Sequence, residues 1–296
     1  MKRKKAAPQK KLSLRKKTPI ISVPPKSVSV EQLHHRIGQL RQRIQGALYP
    51  SLPQKNSPLF HVRVFRFNAG MDFVPRTHEY SIEKIAGESV LDLLTRLKHT
   101  QDGSLTFRAS CGNGGCGTCG VRVNGKPVLG CVTQVSDALA ESATLRIDPL
   151  NENEVIRDLV CSEKDFFNQF EMVKPFLVPR KSDAQRHHRM LPQEVEALGN
   201  AQQCILCGIC NANAHAPTHS SSEWGPAAMV KGYRYWKDIR DGDITRVREM
   251  KRHIVPSYSL EKANLCPRDI FPGKKIEAIM KEKTPPVSLK REKRER

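Results

Sequence analysis

The chain of 296 residues has no apolar run long enough to cross a bilayer, few aromatic residues (6%), and no cysteine between positions 211 and 265. The first absence leaves any membrane role peripheral or carried by a partner. A P-loop pattern is also missing, and no nucleophile-base arrangement stands out. Acidic residues are scarce at the two ends. Residues 1–57 hold 14 Lys/Arg against one acid, Glu31, and residues 281–296 hold 7 against 3. The formal charge of +20 therefore sits on the tails, because residues 58–280 carry 29 basic and 26 acidic residues. That confines any RNA or acidic-partner reading to the tails. The first 30 residues, with ten Lys/Arg and no acid, suit a mitochondrial transit segment or a basic arm equally. Nothing resembles a secretory signal peptide.

What the chain does have is nine cysteines. An odd number in tight C-x2-C spacings, without a secretory context, favours metal or cluster ligation over disulfides. The nine divide as four, one and four.

The first four are Cys111, Cys116, Cys119 and Cys131, in "SCGNGGCGTCGVRVNGKPVLGC". C-x4-C-x2-C followed by a more distant cysteine is the plant-type [2Fe-2S] spacing. The interspersed glycines suit a loop that wraps a cluster and turns its N–H groups towards sulfur. A four-cysteine zinc loop is the competing reading, although zinc sites usually pair two C-x2-C knuckles. Around this loop, "FHVRVFRF" (60–67) and "YSIEKI" (80–85) read as strands. Val90, Leu93, Leu94 and Leu97 share one helical face. Asn124-Gly125 signals a type I′ hairpin, and "TLRI" supplies a closing strand. Strands, one helix and a cluster loop predict an α+β chain that begins with a β-grasp [2Fe-2S] ferredoxin domain.

The second four are Cys204, Cys207, Cys210 and Cys266. A C-x2-C-x2-C trio closed later by Cys-Pro is a bacterial-type [4Fe-4S] arrangement; a zinc site is again the alternative. The stretch between reads as helical. Met229, Tyr233 and Trp236 recur at helical spacing, as do Ile244, Val247, Met250 and Ile254. The ninth cysteine, Cys161, is expected in a helix as a packed apolar residue. The organisation expected is a basic tail over 1–57, a [2Fe-2S] ferredoxin-type domain over 58–154, an all-helical, bacterial-ferredoxin-like [4Fe-4S] domain over 155–282, and a basic tail over 283–296.

Taken in order, "SLTFRASCGNGGCGTC", "VIRDLVCSEKDFFNQFEMVKPFL", "CILCGIC", "GPAAMVKGYRYWKDIRD" and "CPRDIFPGKKIEAIMKEK" resemble the iron-sulfur subunit of succinate dehydrogenase and fumarate reductase, from residue 60 to about 283. The resemblance implies a mitochondrial protein on the matrix side of the inner membrane, within respiratory complex II. It implies a flavoprotein partner that oxidises succinate, membrane anchor subunits or another partner on the quinone side, and electron transfer rather than catalysis by this chain. It also implies [2Fe-2S] ligation by Cys111, Cys116, Cys119 and Cys131, and [4Fe-4S] ligation by Cys204, Cys207, Cys210 and Cys266. The family's third, [3Fe-4S] cluster would draw on positions that here are Ala214, Pro256 and Lys262. None of these supplies a thiolate, so no [3Fe-4S] cluster is expected. His215, His219 and His253 are surface or capping residues on the plainer reading. The quinone-side stretch "THSSSEWGPAA" has one tryptophan, Trp224, next to the Gly-Pro, and Ser or His where the family has an aromatic pair. Two other roles fit two clusters without a third: a structural or assembly subunit of a large mitochondrial particle, in which clusters staple the fold, and an independent ferredoxin-type carrier.

Overall fold

Alternation along Leu59–Arg66 (β1) buries Phe60, Val62 and Val64 and leaves His61 and Arg63 outside or partly so, as a strand with one covered face requires. In the computed structural model, which describes residues 58–140, 144–179, 190–214, 223–254 and 259–283, β1 is antiparallel to β2 (Arg76–Glu83). This second strand starts four residues before the expected position. Its first half is exposed, so burial leaves no alternation to read there, and pairing with β1 defines it instead.

Ser89 caps α1 (Val90–Thr100): its Oγ accepts from the Asp92 N–H at 3.2 Å, while its own N–H donates to the Asp92 carboxylate. That reciprocal box satisfies two donors at the helix end. Val90, Leu93, Leu94 and Leu97 face the sheet and are almost fully buried. Strands β3 (Gly120–Val123) and β4 (Lys126–Leu129) form the expected hairpin, with positive φ of 49° at Asn124 and 81° at Gly125. Those angles belong to a type I′ turn. After α2 (Val135–Ala140), β5 (Thr144–Pro149) inserts between β1 and β3, parallel to the former and antiparallel to the latter. The sheet order is β2-β1-β5-β3-β4.

A small hairpin follows, β6 (Val155–Arg157) with β7 (Val160–Cys161). The expected boundary at 154 assigns it to the helical part, yet it packs with the sheet. Asp158 at its turn has φ 49°. The buried Asp158 carboxylate accepts from Arg66 Nε at 2.9 Å, the Phe67 N–H at 3.2 Å and the Thr106 N–H at 2.9 Å. Cys161 therefore lies on a strand and not in the expected helix, because this turn reverses the chain three residues before it.

The helical part comprises α3 (Lys164–Met172), α4 (Pro192–Leu198), α5 (Ile209–Ala214), α6 (Pro226–Trp236), α7 (Arg246–Arg252), α8 (Leu260–Ala263) and α9 (Pro272–Lys281). Met229, Tyr233, Val247, Met250, Ile276 and Ile279 build its core. Ile244 departs from the expected helical face: it is 88% exposed, because Asp243 accepts from the Thr245 N–H and hydroxyl and forms a turn before α7 begins. The described residues belong to one compact unit. The sheet and helical parts meet where Arg122 on β3 donates to the Leu150 carbonyl and, at 2.8 Å, to the Ala212 carbonyl on α5.

Candidate metal centres

The loop before β3 and the turn after β4 bring Cys111, Cys116, Cys119 and Cys131 into one network. Gly115 and Cys116 donate their N–H groups to Cys111 Sγ at 3.2 and 3.3 Å. Gly114 donates to Cys131 Sγ at 3.2 Å, and Cys131 N–H to Cys119 Sγ at 3.4 Å. Backbone donors aimed at sulfur stabilise thiolate over thiol, which is the charge state an iron ligand needs. Hydrogen bonds from Thr118 and Cys111 lower the Cys116 thiol to about 6, whereas burial pushes Cys119 up to about 11. Cys111 is exposed and Cys119 buried, so the set presents one edge to solvent and one towards the interior.

The interior edge meets the second set. Gly117 has φ 79°, and a Cβ placed on it would stand 2.9 Å from both Cys207 Cβ and the Ile205 carbonyl oxygen. Glycine is needed here for the backbone angle and for the approach. Around this contact Leu91, Cys119, Leu129 and Ile209 are buried together, with Cys131, Ile205 and Cys207 packed against them.

Cys204, Cys207, Cys210 and Cys266 line one cavity whose other walls include Ala227, Val230, Leu265 and Ile270. Left-handed φ at Leu206 (55°) and Gly208 (74°) turns the chain tightly between the three cysteines. The backbone at Leu206 and Ile209 favours the ionised forms of Cys204 and Cys207. Burial nevertheless dominates: it raises Cys204, takes Cys207 to about 12 and Cys210 well above its ordinary value. Thiolates this deep ionise only against compensating positive charge, and an iron-sulfur core supplies it through four cysteine bonds. The donor set fits that group. Among the described residues, no three or more His, Cys, Asp or Glu side chains are drawn together around a point that a single metal ion could take.

The positions expected for a third cluster are treated differently. Ala214 at the end of α5 is 3% exposed and packs in the helical core with Trp224 and Ala263. The Lys262 side chain is exposed, while its carbonyl accepts from Asn213 Nδ2 at 2.8 Å. That bond draws α5 and α8 together. Buried Trp224 stacks on the half-buried His253, the C-cap residue of α7, with centroids 4.3 Å apart and 9° between planes. Pro256, His215 and His219 lie outside the described residues.

Cys161 joins neither set: its Sγ donates to the Asn151 carbonyl at 3.2 Å. Its half-buried side chain borders a cavity of about 570 Å³ between the two cysteine loops. Sequence reasoning missed three supporting residues. Asn211 Oδ1 accepts from the Ala227 N–H at 2.9 Å, and Gln169 Oε1 from the Gly225 N–H at 3.0 Å. Both anchor the start of α6, where a Cβ on Gly225 would stand 2.1 Å from Asn211 Nδ2. Lys231 Nζ donates to the Cys204 carbonyl at 2.8 Å. A signal for Lys231 was present, since it follows Ala227 by four residues on a helical face; Asn211 and Gln169 are 42 positions apart and carry no spacing signal.

Residues 61–168 match the family described as a 2Fe-2S iron-sulfur cluster binding domain. The mitochondrial succinate dehydrogenase [ubiquinone] iron-sulfur subunit 1 of Oryza sativa subsp. japonica is 33% identical over 219 residues, spanning 70% of this chain and 75% of that one. The chain belongs to the family of succinate dehydrogenase iron-sulfur subunits. Its Candida glabrata relative is 30% identical over 217 residues, covering 70% of this chain and 84% of the relative. The Dictyostelium discoideum relative is 29% identical over 241 residues, covering 76% and 83%. A chain of the Mycobacterium smegmatis Sdh1 complex in the apo form superposes with a TM-score of 0.68 at 23% identity, covering 78% of this chain and all of that one. At that identity the match speaks for the shared fold: a β-sheet ferredoxin domain followed by a helical region.

Proposed function

We propose that this family member is an electron-transfer subunit of a succinate dehydrogenase whose route stops at two clusters. Cys111, Cys116, Cys119 and Cys131 would hold a [2Fe-2S] cluster, and Cys204, Cys207, Cys210 and Cys266 a [4Fe-4S] cluster. When bound, such clusters accept and pass single electrons. The chain's own part is to bury the second set and to hold the two sets in mutual contact. A flavoprotein subunit would deliver electrons at the solvent edge near Cys111, and membrane anchors or another partner would complete the quinone side. The setting would be mitochondrial, as for the relatives named mitochondrial, and the chain would sit on the matrix face of the inner membrane. The basic tails would reach an acidic or RNA partner.

The observation that carries the reading is the Gly117–Cys207 contact, which places one cysteine loop directly against the other. Paramagnetic resonance of the native complex before and after succinate tests it. Two cluster signals that grow on succinate addition are expected; clusters that succinate leaves oxidised would overturn it.

The packed Ala214–Trp224–Ala263 region favours a second reading, in which no [3Fe-4S] cluster forms, electrons have no onward path here, and the clusters staple a structural or assembly subunit. In that case chelation of iron unfolds the chain, while succinate leaves the cluster signals unchanged.

A further inference from the structure

Ala227 and Val230 on α6 line the cavity of the second cysteine set. Lys231 follows on the same side of the helix and is half-buried. Its ammonium is held by the carbonyl of Cys204, a residue of the ligand set itself, at 2.8 Å. We propose that Lys231 is a positioning charge that makes the cluster at Cys204, Cys207, Cys210 and Cys266 easier to reduce. The inference rests on the [4Fe-4S] reading above and adds to it the residue that sets this cluster's potential.

The physical reason is the charge balance of the redox step. One electron from the upstream donor, or from a chemical reductant, enters the oxidised cluster, and no bond to cysteine breaks. The cluster and its four thiolates become more negative by one charge. A cation fixed beside one ligand stabilises that added charge, and partial burial limits its screening by solvent and salt. The hydrogen bond to the Cys204 carbonyl keeps the ammonium beside the ligand in both redox states. Arg268 also lines this cavity, but it is exposed, so water and salt weaken its effect.

The test is a potentiometric titration of the isolated complex, followed by paramagnetic resonance, in wild type, Lys231→Gln, Lys231→Arg and Arg268→Gln. Lys231→Gln is expected to lower the constant for one-electron reduction of the second cluster about tenfold, which is about 59 mV. Lys231→Arg should stay near wild type, Arg268→Gln should shift less than Lys231→Gln, and the first cluster should titrate unchanged in all. A potential in Lys231→Gln equal to wild type, or an equal fall in Lys231→Arg, overturns the assignment. Lys231→Met serves as a second neutral variant; both neutral variants losing the cluster while Lys231→Arg keeps it would mean a role in assembly and would overturn it too. A wild-type complex lacking the second cluster signal contradicts the ligand assignment instead, an outcome distinct from an unshifted potential.

Discussion

Gly117 stands so close to Cys207 that a Cβ at position 117 would come within 2.9 Å of the Cys207 Cβ. The contact joins two loops separated by 90 residues of sequence. Gly117→Ala is expected to cost about 1–2 kcal/mol from its left-handed backbone alone. The alanine Cβ already clashes with Cys207; Gly117→Val enlarges that clash and should separate the loops. The predicted result is retention of the first cluster signal with slowed or lost reduction of the second, read by freeze-quench paramagnetic resonance; unchanged transfer in Gly117→Val would show that the contact is dispensable.

The two cysteine sets are expected to be separable. Cys266→Ala removes one of four sulfurs around the apolar cavity and should abolish the [4Fe-4S] signal while the [2Fe-2S] absorption and signal persist. Cys119→Ala should do the reverse. Iron and sulfide analysis of each purified variant checks the assignment, and loss of both clusters in either variant would contradict two independent ligand sets.

Arg66 and Asp158 form a buried ion pair, 8% and 4% exposed at their side chains, that fastens the β6–β7 turn to β1. Tyr80, Asp102 and Ser104 also take hydrogen bonds from Arg66. Asp158→Ala leaves the guanidinium without its most buried partner, and removing one member of a buried pair costs about 3–5 kcal/mol. Urea unfolding with far-ultraviolet circular dichroism should show a lower midpoint of that order. A shift below 1 kcal/mol, by the same scale for exposed pairs, would mean that water reaches the turn.

Asp102 gives an acid-side prediction. Burial raises its carboxyl, but hydrogen bonds from Ser104, Tyr80 and Arg66 outweigh that and hold it well below the usual carboxylate range. The folded state thus binds its proton less readily than the unfolded chain. Its stabilising contribution is full above the unfolded value of about 3.9 and is lost as pH falls below that value. Wild type should exceed Asp102→Asn in stability at pH 6, and the gap should narrow as pH falls below about 3.9, vanishing only below the folded value. A gap that is independent of pH would place the stabilisation elsewhere.

Ala214→Cys should not create a third cluster. The position is sealed within the helical core, and the exposed Lys262 side chain points to no shared donor set. Extra bulk in a packed core costs about 1–3 kcal/mol. The variant should show a lower unfolding midpoint and no new paramagnetic signal; a [3Fe-4S] signal would demonstrate a site that the packing conceals.

Local chemistry was legible from residue order. Cysteine spacing marked both sets, Asn124-Gly125 marked the hairpin, and periodicity marked α1 and α6, because these depend on neighbours within a few positions. The absence of thiolates at Ala214 and Lys262 was legible in the same way. Other features required the folded chain. Pairing with β1 defines the exposed half of β2, and the Asp158 turn makes Cys161 a strand residue. The Gly117–Cys207 approach and the Lys231–Cys204 bond also arise only when distant segments pack. Sequence determined which residues could ligate and which could not; tertiary packing decided which backbones touch, which thiols are buried, and which cation lies beside them, since close approach and desolvation are properties of segments brought together.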